Sequence, residues 1–181
     1  MTRRRITITV AAIATATAAA AVLATLPATA TASTTVTAAT TSSDSSTKVG
    51  TAPYLPLGTA KKLAEITNKE GLAKGYPVSV TIVDRDGIVI DQERADTATG
   101  ATVQVSFEKA YAAAGFQMTT ADMQDLSKTE PGFTYIPGFS TLPGGLPVKT
   151  HNHIVGGIGV SGAPTGELDA AFATTALNTL S

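Results

Sequence analysis

The chain has 181 residues, 13 Lys and Arg against 14 Asp and Glu, no cysteine, and a formal charge of −1 at neutral pH. Lacking cysteine, it has no disulfide, no covalently attached c-type haem, no thiolate metal site, no lipidated N-terminal cysteine and no cysteine nucleophile. The charge balance argues against nucleic acid or an anionic membrane as its main partner.

The chain opens with Arg3, Arg4 and Arg5, and from Ile6 to Leu26 it carries no charge. Ala28-Thr29-Ala30 and Ala30-Thr31-Ala32 then offer the small-x-small pattern that signal peptidase accepts. A membrane anchor needs a similar length, but Ala and Thr partition weakly into lipid. The expectation is a signal peptide over 1–32, used by the general secretory or the twin-arginine route, the latter because Thr2 to Thr7 reads TRRRIT. Three of the 13 basic residues and none of the 14 acidic ones lie there, so the exported chain carries −4. Its expected location is extracellular.

Residues 33–53 are mostly Ser, Thr and Ala, too poor in large apolar groups to offset the entropy of ordering, and read as a disordered linker. The folded unit is expected over 54–181. Thr59 to Ala73 predicts a helix with Ala60, Leu63, Ala64 and Thr67 on one face, stopped by Gly75 and Pro77. Pro77 to Val83 and Ile88 to Glu93 predict a hairpin turning at Asp86-Gly87. Thr102 to Gly115 predicts a second helix with Val103, Phe107, Ala110 and Ala114 in one stripe. A short third helix begins at Thr119, with Asp122 at the capping-box spacing and Met118 and Met123 flanking the cap. After a Pro/Gly-rich stretch, Leu146 to Lys149 and Ile154 to Val160 predict a second hairpin. A last helix follows Thr165, with Leu168, Phe172 and Thr175 turned inward. This order favours an α+β domain, an antiparallel sheet with helices packed on it.

Several groups are candidates for chemistry. Gly157-Ile158-Gly159-Val160-Ser161-Gly162 satisfies G-x-G-x-x-G, but the chain ends too soon for the second parallel strand that dinucleotide binding needs. Those glycines instead let the strand lie close to a neighbouring element or a ligand. His151 and His153, the only histidines, would point the same way in an extended segment and offer a metal or haem iron two imidazoles; otherwise they are a solvated hairpin tip. Glu93 and Arg94, with Asp96 following, hold an iron or a polar substrate, or form a solvated strand end. Tyr111 reads as half-buried packing, and Lys109 as a surface residue unless it lines a pocket.

Three blocks carry a family resemblance. They are PVSVTIVDRDGIVIDQERADTA (Pro77 to Ala98), KAYAAAGFQMTT (Lys109 to Thr120), and GGLPV (Gly144 to Val148) leading through the hairpin to VGGIGVSGAPTGELDAAFA. Together they resemble the GlcG/HbpS-like haem-binding family over essentially the whole folded unit. The resemblance implies a profilin-like domain with an antiparallel sheet of about five strands, homo-oligomers, and haem or iron as cofactor. In exported members it implies haem degradation, or redox sensing beside a membrane sensor ectodomain. By it, Thr119 offers a hydroxyl to the haem iron or its pocket unless the hydroxyl caps the third helix; with Lys109, Glu93 and Arg94 from the reading of the residues above, it makes up the cofactor-binding candidates. His151 and His153 fall where the family varies. The chain departs from the family at Gln117, Ala95 and Ala163. The picture is of the glycine-rich hairpin and the Lys109 helix closing on a flat, iron-containing guest. A small-molecule enzyme or a non-catalytic interaction module on the same scaffold are the alternatives.

Overall fold

The structure, a computed structural model, describes residues 50–180; the expected signal peptide and residues 33–49 of the expected linker lie outside them. Helix α1 (Leu57–Ala73) buries Ala60, Leu63, Ala64, Thr67 and Gly71, the expected stripe extended by one turn. It ends before Gly75, whose φ of +80° is a left-handed angle that glycine adopts without steric cost. Strands β1 (Ser79–Asp84) and β2 (Val89–Arg94) follow. Their turn is stapled by Asp84, whose Oδ1 accepts the backbone N–H groups of Asp86 and Ile88, both at 2.9 Å. Helices α2 (Gly100–Phe116) and α3 (Thr120–Leu126) come next, then strands β3 (Gly145–Thr150) and β4 (His153–Ser161), and helix α4 (Gly166–Leu177).

The sheet order is β2-β1-β4-β3, every pair antiparallel. The α+β expectation therefore holds, with four strands among the described residues where the resemblance implied about five. The stretch between α3 and β3 contains Pro131, Pro137 and Pro143, which withhold ladder donors, and it forms a 3-10 turn at Pro131–Tyr135 instead of a strand.

Alternation along β1 sorts the two layers. Val80 and Ile82 face α1 and α4, joining Leu63, Ala64, Ile158, Val160 and Phe172 in the larger apolar core. Ser79, Thr81 and Val83 face α2. Ser79 Oγ shares a hydrogen bond with Thr102 Oγ1 at 2.7 Å, Thr81 Oγ1 one with Ser106 Oγ at 2.7 Å, and Val83 packs with Ala110 and Ala114.

The close fit of α2 on the sheet depends on β4 having no side chains there. A Cβ on Gly159 would strike the carbonyl oxygen of Ser106 and lie 2.5 Å from the Ala110 nitrogen; one on Gly157 would strike the carbonyl oxygen of Ala110. The G-x-G pattern thus serves helix–strand contact, the neighbouring-element alternative of the sequence reading. It also overturns the picture of this strand and the Lys109 helix closing on a flat guest, because their backbones already touch. The inward set of α4 differs as well. It is Asp169, Phe172, Ala173 and Ala176, while Thr175 is exposed; Asp169 is drawn inward by a buried partner on α2.

Candidate functional site

That partner is Lys109, which is 2% exposed and so not the surface lysine expected. Its Nζ donates to Asp169 Oδ2 at 2.9 Å and to the Val160 carbonyl at 2.8 Å. Asp169 Oδ1 accepts the Ala163 N–H at 2.9 Å. Burial pushes the Asp169 carboxyl above its usual range, and Lys109 and the Ala163 N–H pull in the opposite direction. Gly144 seals the pair: a Cβ there would stand 2.8 Å from Nζ. Lys109 thus joins α2 to the β4–α4 connection.

The other three cofactor-binding candidates lie elsewhere and are not brought together. Glu93 pairs in register with Val80 and Arg94 with Ser79, so the two project from opposite faces of the sheet. Glu93 Oε2 accepts from Asn68 Nδ2 of α1 at 2.9 Å. Arg94 reaches the Ala98 carbonyl at 3.3 Å. Thr119 is the N-cap of α3, its Oγ1 accepting the Asp122 N–H at 3.1 Å and donating to Asp122 Oδ2 at 2.7 Å. Thr119→Ala is accordingly expected to cost about 1 kcal/mol, read as a lowered midpoint in thermal or urea unfolding.

An aromatic cluster escaped the sequence reading. Tyr111 stacks between Phe107 and Phe139, with ring centroids at 5.7 and 4.9 Å, and Phe116 meets Phe133 and Phe139, each at 5.1 Å. It fastens the Pro/Gly-rich stretch to the outer side of α2. The available signal was the i, i+4 pair Phe107 and Tyr111 followed by two Phe residues inside that stretch.

A cleft lies at the end of the sheet where the two hairpins turn. One hollow of about 460 Å³ is lined by Pro53, Arg85, Asp86, Gln117, Asn152, His153 and Ile154. A second, of about 370 Å³, shares Pro53, Arg85 and Asp86 and adds the apolar walls of Tyr54, Leu55, Ile90 and Val155. Both volumes fall within the range of small-molecule sites. The β3–β4 turn supplies part of the wall. His151 and Asn152 have φ of +46° and +64° between the paired residues Thr150 and His153, a two-residue turn of the primed class. The two histidines therefore do not project alike from an extended segment, as expected. His153 lines the larger hollow, whereas His151 Nδ1 lies 3.1 Å from Thr150 Oγ1.

Among the described residues no three His, Asp or Glu side chains gather in a way that holds a metal ion. A bare metal needs three or four protein donors; an iron already held by a macrocycle needs one or two. The His153 imidazole and the Arg85 guanidinium share these hollows with the Asp84 and Asp86 carboxylates, Gln117 and Asn152, a polar and open lining that does not fit an apolar macrocycle bearing carboxylates.

Comparison with known proteins gives a consistent picture. A family model described as haem-degrading protein, HbpS-like, matches residues 55–178. An uncharacterised 15.0 kDa protein from the dhaT-dhaS intergenic region of Citrobacter freundii is 31% identical over 134 residues, covering 70% of this chain and 92% of that one. The crystal structure of HbpS is 31% identical and superposes with a TM-score of 0.72, covering 75% of this chain and 96% of its own. PduOC, solved as a haem complex, shares the fold at 22% identity and a TM-score of 0.64, covering 70% of this chain and 94% of that one.

Proposed function

Because the chain belongs to the HbpS-like family of haem-degrading proteins, we propose that it is an exported haem-binding protein. The observation that carries this is the reach of the family match, residues 55–178, which takes in nearly every described residue. When bound, haem supplies a redox-active iron with an intense Soret absorption.

Export rests on the basic start, the uncharged run and the cleavage pattern in 1–32. Haem degradation, and redox sensing as an accessory to a membrane sensor, are the finer forms of the proposal. Assembly into a homo-oligomer is a further part of the proposal. The small-molecule enzyme reading looked for a carboxylate of raised pKa in a deep pocket. Asp169 is raised, but it is bound to Lys109 and lines neither hollow.

Haem titration of the purified protein, followed by size-exclusion chromatography, tests the proposal. The expected result is a Soret band that saturates at one haem per chain and co-elutes with the protein. Protein that stays colourless with an unchanged haem spectrum at micromolar haem would overturn it.

A further inference from the structure

We propose that the hollow between the start of α1 and the edge strand β3 binds a small organic carboxylate with an apolar body, such as a medium-chain fatty acid. The inference goes beyond the haem-binding reading above and does not depend on it.

The apolar body follows from the floor and walls. The hollow has a volume of about 290 Å³. An apolar cavity of about half that size takes up benzene, so a ring or a chain of about eight carbons fits. Its floor is Leu55, Val148 and Val155, all buried members of the larger apolar core. Pro56 and Leu180 carry the apolar lining outward to the surface, and Tyr54 adds an exposed ring. A hydrocarbon chain laid there removes its own surface and the protein's from water together. The sheet fixes the far wall, because Val148 pairs with Gly156 and Lys149 with Ile154 across the β3–β4 ladder.

The head group follows from the charges. Lys149 is the one charged residue in the lining, and its ammonium has no hydrogen-bond or ion-pair partner among the described residues. No carboxylate lines this hollow, in contrast to the hairpin-end hollow that carries Asp84 and Asp86. A smaller hollow beside it shares Thr59 and Leu180 and adds Lys62, again a cation. A carboxylate bound here meets attraction without repulsion, and an ammonium meets the reverse.

The test is isothermal titration calorimetry of the wild type, Lys149→Ala, Thr59→Phe and Leu180→Glu proteins, with urea midpoints to confirm that each variant folds. The wild type is expected to bind one octanoate per chain and to bind octylamine about tenfold more weakly. Acetate, which lacks the apolar body, should give no saturable heat. Lys149→Ala should bind octanoate about three- to fivefold more weakly, the range of an ion pair open to water, and its preference for octanoate over octylamine should narrow. Thr59→Phe fills the hollow and Leu180→Glu sets a carboxylate in its wall, so each should bind octanoate at least about tenfold more weakly. If the wild type takes up no octanoate at millimolar concentration, the hollow is not a binding site for this class. If Thr59→Phe and Leu180→Glu both bind octanoate as the wild type does, the ligand lies elsewhere. If octylamine binds the wild type as tightly as octanoate, the head-group assignment is wrong. No haem enters this experiment, so its failure leaves the haem reading standing, and protein that stays colourless with haem leaves this inference standing.

Discussion

Lys109→Met is expected to cost the fold about 3–5 kcal/mol at neutral pH, the usual penalty for leaving one member of a buried ion pair behind. The stranded group is Asp169, 3% exposed, which keeps the Ala163 N–H as its remaining donor. In the native protein burial already raises this carboxyl and Lys109 opposes the rise. Without the lysine the carboxyl climbs further. The sign of the pH effect follows from linkage. A folded-state pKa above the unfolded value contributes stability that is fully present below the unfolded pKa and is lost as pH rises through the folded one. Both proteins therefore lose this contribution as pH rises from below the ordinary aspartate value, and Lys109→Met loses more of it over a wider span. Urea unfolding of the two proteins from acid to neutral pH should show their stability gap widening as pH increases. Adding Asp169→Asn to Lys109→Met removes the second charge and should recover most of the loss. If the single variant matches the wild type at neutral pH, the pair contributes nothing and α2 is held by its other contacts.

The elements were legible in the sequence because their signals are local. The stripe Ala60, Leu63, Ala64 and Thr67, the Asp86-Gly87 turn and the Thr119 cap each depend on residues within a few positions of one another. Their boundaries moved by two residues at most. On α4, Phe172 is buried and Leu168 packs against the core as expected, but Thr175 is exposed and Asp169 is buried in its stead, for a reason no helical period contains. An aspartate at position 169 reads as a first-turn charge favoured by the helix dipole, and only the chain fold shows that a lysine 60 residues earlier draws it into the core.

The site was less legible. The fold distributes the candidates Thr119, Lys109, Glu93 and Arg94 among a helix cap, a buried ion pair and opposite faces of one edge strand. Arg85 carries no signal of its own in the sequence, and His153 reads there either as a metal or haem ligand or as part of a solvated hairpin tip. They become neighbours only when the two hairpins end at the same side of the sheet, a consequence of the β2-β1-β4-β3 order. The nearness of two turns about 70 residues apart is a property of topology, and hydrophobic periodicity does not encode it.

The glycines of β4 carry the other large expected effect. Gly159→Ala adds one methyl group, ordinarily a small change in a strand and even a gain in backbone entropy terms. Here the group would run into the Ser106 carbonyl and the Ala110 nitrogen, both backbone atoms of a helix that no side-chain rotation can move aside. The helix must back away. That separates Thr81 from Ser106 across their 2.7 Å hydrogen bond and unseats Val83 from Ala110 and Ala114. The expected loss is about 3 kcal/mol or more, the upper end of what overpacking costs, and Gly159→Val should leave little folded protein. Near-ultraviolet circular dichroism and urea midpoints measure it. Gly58→Ala is the control, since a Cβ there meets nothing within 4 Å, and it should be close to neutral. Should Gly159→Ala unfold at the same urea concentration as the wild type, α2 does not rest on this strand as described. The space between them would then again be open to a ligand.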